Sequence, residues 1–310
     1  MDCARFIEQQ VDELHKTVGD QLAINALSGG VDSSVVTVLG HRAMGNRLKT
    51  VFVDNALMRE GEPQRVVKTF AGIGIPVELV DARREFLTAL KGVTDPEQKR
   101  QAITDTFYNA VFGRLVRESG AKFLLHGTIL TDIEETVAGI KRQHNILAQM
   151  GIDPQKAYGY QVLEPLKTLR KDGVRQVAAR LGLPGEITQR IPFPGPALAA
   201  RVVGEVTEDR LATVRAATAI VEEELAATGA FQYLAVLLAD RATGIRDNKR
   251  EFGQIIVVRC IESTDARTAA VTELPWKKLH RLSGRITGIP GVNRCLYDLT
   301  PKPPATVEYV

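Results

Sequence analysis

The run Leu27-Ser28-Gly29-Gly30-Val31-Asp32-Ser33-Ser34 combines the ingredients of a phosphate cradle. Glycines permit a tight turn in which backbone N–H groups converge, and a helix starting there adds the positive end of its dipole. Ser28, Ser33 and Ser34 add hydroxyl donors, and Asp32 suits a magnesium ion or a water in its shell. Better-known loops do not fit. No lysine follows a four-residue gap as in a Walker A loop, and the third glycine of a dinucleotide fingerprint is missing. A serine on such a turn would suit a hydrolase, yet Gly-x-Ser-x-Gly is absent. The plainer alternative is an ordinary glycine turn between a strand and a helix.

A cradle needs a strand to feed it and a helix to leave it. Leu22–Leu27 is a short apolar run ahead of the glycines, and Ser33–Leu39 reads as the helix behind them. Lys49–Asp54, Val77–Asp81 and Lys122–Gly127 are further strand candidates, with helix-length segments between them. The expected fold is α/β: a mostly parallel sheet with helices on both faces. Ligands of such sheets sit beyond the carboxyl ends of the strands, so Asp54, Asp81 and Gly127 mark the same edge as the glycine turn. An opening helix over 3–18 follows from Phe6, Val11, Leu14 and Val18.

After a helix over 167–182, Ile191-Pro192-Phe193-Pro194-Gly195-Pro196 cannot continue regular structure. The boundary is placed there, giving domains 1–190 and 191–310. The second reads as a smaller α+β domain with a helix over Glu208–Thr228, a strand over Ile255–Ile261 and a short helix over Leu274–Leu282. Its end, Leu296–Val310, mixes a strand signal with Pro301, Pro303 and Pro304.

With 310 residues, 44% of them hydrophobic and 25% charged, the chain is long enough to bury a sizeable core and too apolar for disorder. A net charge of +3 does not indicate a nucleic-acid partner. Cys3, Cys260 and Cys295 form no pair suited to a disulfide framework or a thiolate zinc site. There is no secretory signal and no apolar run of membrane-spanning length, so a cytoplasmic protein is expected.

The string Ser-Gly-Gly-Val-Asp-Ser-Ser resembles the pyrophosphate loop of the N-type ATP pyrophosphatases, which adenylate a carbonyl oxygen and have an adenine nucleotide alpha hydrolase-like fold. The likeness extends along the chain to the synthetase part of the GMP synthase family. It covers Val51–Arg59, Ala89–Glu97, Gly127–Ile129, Pro192–Thr207 and the tail Pro290–Asp298 with Lys302–Glu308. That resemblance implies ATP-dependent amination of xanthosine 5′-monophosphate (XMP) to GMP with ammonia, through an adenylyl-XMP intermediate. Ser28, Gly29, Gly30, Val31, Asp32, Ser33 and Ser34 would hold the pyrophosphate of ATP, and Val53, Asp54, Gly127 and Thr128 the adenosine part. Asp32, Asp132 and Glu135 would face Mg2+, and Lys141, with Asp32 and Asp132, would serve the chemistry. Arg201, Arg259, Lys302, Thr306 and Glu308 would bind XMP; guanidinium and ammonium groups suit a dianionic monophosphate. The resemblance further implies a homodimer through the second domain. Because the chain starts at the synthetase, a separate glutamine amidotransferase subunit, or free ammonia, is expected.

The chain departs from the family pattern on the acceptor side. Gln143 stands for a histidine, Leu147 and Ala148 for glycines, Ile191 for a histidine and Ala197 for a glycine. The segment 243–254 keeps its length but loses two glycines and paired aromatics, and Ala266-Arg267 replaces Gly-Met. Two alternatives follow: an enzyme that adenylates another purine nucleotide for amidation or sulfur transfer, or a nucleotide-binding subunit without turnover.

Overall fold

The computed structural model describes residues 1–137, 160–188, 191, 193–264 and 266–309. The chain forms two compact units: Met1–Asp54, Pro63–Asp81 and Phe107–Arg190 make the first, and Asn55–Glu62, Ala82–Thr106 and Ile191–Val310 the second. Two stretches expected within 1–190 therefore pack with the second unit. Hydrogen bonds between residues far apart in sequence hold them there. Arg215 donates to the carbonyls of Met58 (3.0 Å) and Ala56 (2.5 Å), and Gly92 N donates to Glu205 Oε1 (2.7 Å).

The elements up to residue 105 are α1 (Cys3–Val18), β1 (Ala23–Ala26), α2 (Val31–Met44), β2 (Leu48–Asp54), α3 (Glu62–Gly72), β3 (Glu78–Asp81), α4 (Arg83–Leu90) and α5 (Pro96–Asp105). A π-helical stretch, Thr106–Phe112, leads into α6 (Gly113–Ser119), β4 (Phe123–Leu125), α7 (Leu130–Val137), β5 (Gln161–Leu163) and α8 (Lys171–Arg180). Then come α9 (Glu208–Leu225), β6 (Gln232–Arg246), β7 (Lys249–Glu262), β8 (Ala270–Val271), α10 (Trp276–Thr287) and β9 (Val292–Tyr297). Among the described residues no helix is long and apolar enough to cross a membrane.

In the first unit the strands form a parallel sheet in the order β3-β2-β1-β4-β5. The chain runs outward from β1 through β2 to β3, then returns past β1 to β4. Right-handed crossovers therefore put α2 and α3 on one face and α6 on the other. The order reverses between β1 and β4, which is the place where such sheets open a crevice for ligands. Gly40 lets α2 lie close on this sheet: a β-carbon there would come 2.5 Å from a Leu125 methyl and 2.8 Å from a Leu48 methyl.

A buried polar chain ties the middle of the sheet to the start of α2. Thr50 Oγ1 donates to Asn25 Oδ1 (2.8 Å), Asn25 Nδ2 donates to Thr37 Oγ1 (2.6 Å), and Thr37 Oγ1 donates to the Ser33 carbonyl (2.8 Å). All three side chains are essentially solvent-free, so each of these partners must be supplied from within the protein.

The second unit is built on a long antiparallel hairpin, β6–β7, flanked on β7 by β8 (antiparallel) and β9 (parallel). The hairpin turns through Asp247 and Asn248, both at positive φ (51° and 58°). That is the two-residue turn whose twist matches paired strands. Leu234, Val236 and Val257 form a small apolar cluster with Val203 and Leu238 packed on it. The strand expected over Ile255–Ile261 is only part of this hairpin, and the last strand, expected from Leu296, begins at Val292. The expected helix over 167–182 is shortened at its start: Arg170 is extended, and α8 begins at Lys171.

Replacing Asn25 by alanine strands the Thr50 hydroxyl, removes the donor to Thr37 Oγ1 and opens a small void. We expect a loss of about 2–4 kcal/mol of stability. Thr50→Val, which spares the bond from Asn25 to Thr37, should cost about half as much. Urea unfolding of the two variants measures the difference.

Candidate functional site

At the carboxyl end of β1 the chain turns through Gly29 (φ 77°) into α2, whose N-cap is Gly30. The hydroxyls of the turn hold its shape. Ser33 Oγ donates to the Gly30 carbonyl (3.1 Å) and accepts from Ser28 N (3.2 Å). Its single proton being used, Ser28 Oγ donates to it (2.9 Å) and accepts from Gly30 N (3.3 Å). Ser34 is fully buried, with its N–H in the first helical hydrogen bond to Gly30. Val31 is buried at the first position of α2.

Asp32, one residue into the helix, has two distinct carboxylate oxygens. Oδ2 accepts from Lys171 Nζ at 2.5 Å; Oδ1 is buried without a hydrogen-bond partner. Lys171 was not foreseen, since 139 residues separate it from Asp32 and no local pattern links them.

The turn after β4 reaches this loop. A β-carbon on Gly127 would lie 3.3 Å from Ser33 N and 3.4 Å from the Asp32 carbonyl carbon, so glycine permits the two turns to meet. Thr128 Oγ1 donates to Glu164 Oε1 (2.5 Å) and is 2.8 Å from His126 Nδ1. With the threonine proton committed to Glu164, His126 Nδ1 is the donor of that second bond. Neither His126 nor Glu164 was singled out from the sequence. Val53 and Asp54 end β2, where Asp54 stands in register beside Asp81 of β3.

Asp132 Oδ2 accepts from Ile129 N (3.2 Å) at the entry to α7, and Glu135 lies on the same helix. Among the described residues no three His, Cys, Asp or Glu side chains converge as a metal cage. Lys141, Arg142 and His144 lie outside the described residues, as do Arg190, Pro192 and Asp265.

The second unit gathers its own charged cluster. Arg201, fully buried, pairs with both carboxylate oxygens of Glu308 at 3.3 Å, while Gln232 Nε2 donates to Glu308 Oε1 at 2.6 Å. The Phe193 ring lies 4.7 Å from the Arg201 guanidinium and 3.9 Å from that of Arg59. Arg201 Nη1 is buried without a partner. Arg259, equally buried, donates to Asp298 Oδ2 (2.8 Å) and to the carbonyls of Thr300 (2.7 Å) and Thr306 (2.9 Å). Lys302 Nζ donates to the Ala266 carbonyl (2.7 Å), and Thr306 Oγ1 to the Glu308 carbonyl. Arg201, Thr306 and Glu308 thus come together. Arg259 holds the tail by its backbone, and Lys302 is tied to a different loop. Arg59, Phe193 and Gln232 were not anticipated.

The parallel sheet with a glycine turn at its switch point defines an α/β protein of the nucleotide-binding type. Comparison with known proteins narrows the class. Residues 219–309 match the family described as GMP synthase C terminal domain. Proteins named as one subunit of glutamine-hydrolyzing GMP synthase are similar over their whole length. That of Archaeoglobus fulgidus is 49% identical, covering 100% of both chains. That of Pyrococcus horikoshii is 48% identical with the same coverage, and that of Methanopyrus kandleri 46% identical, covering 99% of each. The chain belongs to the family of ATP pyrophosphatase subunits of GMP synthase.

Removing the Arg259 guanidinium should release the tail. Arg259→Met leaves the Asp298 carboxylate and two carbonyls without their donor, and we expect a loss of about 3–5 kcal/mol and rapid proteolysis within 298–309. Acid should do the same more gently. Burial pushes the Asp298 carboxyl up, but hydrogen bonds from Thr300 and the Arg259 charge outweigh it and leave it below its ordinary 3.8. The clamp's stabilisation is therefore complete above about pH 4 and is lost as pH falls through the lowered value. Limited proteolysis across about pH 2.5–6 checks this.

Proposed function

We propose that this chain is the synthetase subunit of a two-subunit GMP synthase, converting XMP, ATP and ammonia to GMP, AMP and pyrophosphate. The observation that carries the reading is end-to-end similarity to GMP synthase subunits, joined to a phosphate-cradling turn at the switch point of the sheet. In the first half-reaction the C2 carbonyl oxygen of XMP attacks the α-phosphorus of ATP and pyrophosphate leaves. In the second, ammonia adds at C2 and AMP departs with its electron pair, giving GMP after loss of a proton.

The glycine turn suits the departing pyrophosphate, because the N–H groups of Val31, Asp32 and Ser33 open α2 and their dipoles need no reorganisation as charge develops. Val53, Asp54, Gly127 and Thr128 are assigned to the adenosine part, with His126 and Glu164 fixing the Thr128 hydroxyl. The residues fit magnesium: Asp32 Oδ1 is a buried oxygen without a partner, and Asp132 and Glu135 follow on α7. A few carboxylates rather than a full cage suit an ion that keeps waters and phosphate oxygens. When bound, it would neutralise charge on the leaving pyrophosphate. Lys141 is assigned to the same charge by family likeness alone.

For the acceptor, Arg201, Glu308, Lys302 and Thr306 are the assigned set. Arg201 offers an unpartnered buried nitrogen to the monophosphate, and Glu308 accepts well from purine N–H groups. Arg259 supports the set by anchoring the tail. The glutamine hydrolysis in the relatives' name points to a partner amidotransferase as the ammonia source, and the second unit is assigned to homodimer formation.

Purified protein with ATP, magnesium, XMP and high ammonium should release one AMP and one pyrophosphate per GMP, and nothing when XMP is omitted. AMP release without GMP, or dependence on sulfide instead of ammonium, would point to another acceptor or nucleophile. Asp32→Asn should lower kcat on the order of 10²-fold while the protein still folds, because the lost charge faces the half-exposed Lys171.

A further inference from the structure

Lys99, on α5, is almost wholly buried, and its Nζ donates to the Val202 carbonyl at 2.7 Å. With Pro96 and Arg100 it lines a small crevice against Pro196, Ala199 and Ala200, the turn that carries Arg201. The next residues are held as firmly: Arg210 donates to the carbonyls of Val203 (2.8 Å) and Glu205 (2.6 Å), and Val203 N donates to the Leu237 carbonyl (2.9 Å). Two cations, the buried Lys99 of α5 and the half-buried Arg210 of α9, thus grip the backbone directly behind Arg201.

We propose that Lys99 is a positioning residue for the acceptor site, fixing through the Val202 carbonyl the backbone from which Arg201 meets Glu308 and the nucleotide. This rests on the assignment of Arg201 and Glu308 to the acceptor. The charge of the lysine works against folding at this place. Burial, with Arg210 facing it, pushes the ammonium down to about 8 against a weaker upward pull from Asp95 at the head of its own helix. A base lowered in this way opposes folding in its charged form, and that opposition fades only as pH rises from about 8 toward 10.5. An apolar side chain would therefore carry no charging penalty at neutral pH. What it would lose is the grip on Val202.

The test compares wild type, Lys99→Met and Lys99→Arg by three measurements. Amide exchange read by mass spectrometry, without any nucleotide, should rise about tenfold over 201–205 in Lys99→Met and stay unchanged in α9. In the ammonium-dependent assay the KM for XMP should rise about tenfold with the KM for ATP within about twofold, and Tm should stay within about 3 °C of wild type. Lys99→Arg keeps its charge at all working pH values. It should restore the XMP KM and lack the rise in that KM expected of wild type above pH about 8.

Unchanged exchange over 201–205 overturns the proposal. So does a Lys99→Met protein in which both KM values and Tm deteriorate together, which is the mark of a purely structural lysine. If Lys99→Met does not fold, the pH dependence of Lys99→Arg decides, and an alkaline rise identical to wild type overturns the inference. Wild type that makes no GMP overturns the acceptor reading instead, and the exchange measurement, which needs no substrate, separates the two failures.

Discussion

The first unit depends on the side-chain amide of Asn25. It sits on the central strand, shut off from water, and offers hydrogen-bonding groups on both sides. Thr50 on β2 satisfies its oxygen and Thr37 on α2 satisfies its nitrogen. Thr37 in turn donates a hydrogen bond to the Ser33 carbonyl in the first turn of the same helix. Leaving any one of these groups unpaired costs more than the bond itself contributes. The result is a fixed distance and rotation of α2 against the sheet. That fixes where the N–H groups of the glycine turn point, and the missing β-carbon of Gly127 lets the β4 turn lie against them.

This dependence explains what could be read from the residues and what could not. β1 to β4 were legible because parallel strands buried on both faces are written as short apolar runs, and their endings at glycine or aspartate marked the carboxyl edge of the sheet. The glycine turn was legible because its chemistry is contiguous. Lys171 was not, because the fold alone brings it to Asp32 from the far end of the unit. The same holds for Glu164, which only the pairing of β4 with β5 brings to Thr128; His126 lies two residues from Thr128, but nothing in the segment itself marks their contact.

In the second unit the losses were of another kind. β6 escaped because its first half is continuously buried while its second half is largely exposed, so neither alternation nor a single apolar run describes it. The turn joining it to β7 uses Asp247-Asn248, both tolerant of positive φ but without the glycine that flags such turns. The segments 55–62 and 82–106 could not be assigned by composition, since what draws them to this unit is a handful of arginine and glutamate contacts with backbone groups. The residues assigned to the acceptor could be chosen by type and motif, but the contacts each makes could not. Arg201 faces a carboxylate and an aromatic ring, whereas Arg259 is consumed by the tail's own backbone.

The two units handle negative charge by opposite means, and the proposed chemistry gives a reason. Around the glycine turn the positive potential comes from backbone dipoles at a helix start, and the lysine that reaches the loop, Lys171, is paired with the protein's own Asp32. Dipoles of this kind stabilise charge as it develops and do not hold a tetra-anion with the strength of several formal charges, which suits a pyrophosphate that must leave in each turnover. The cluster proposed for the acceptor instead buries whole guanidinium groups, with Arg201 and Arg259 each nearly free of solvent contact. A buried cation is tolerated only with a partner, so each is matched by a carboxylate, Glu308 or Asp298. Under the proposed assignment, a monophosphate would meet the unpartnered Nη1 of Arg201 while Glu308, already held by the other two guanidinium nitrogens, would accept from purine N–H groups. A bare phosphate would use only the first of these, so a pair formed in advance would favour the whole nucleotide.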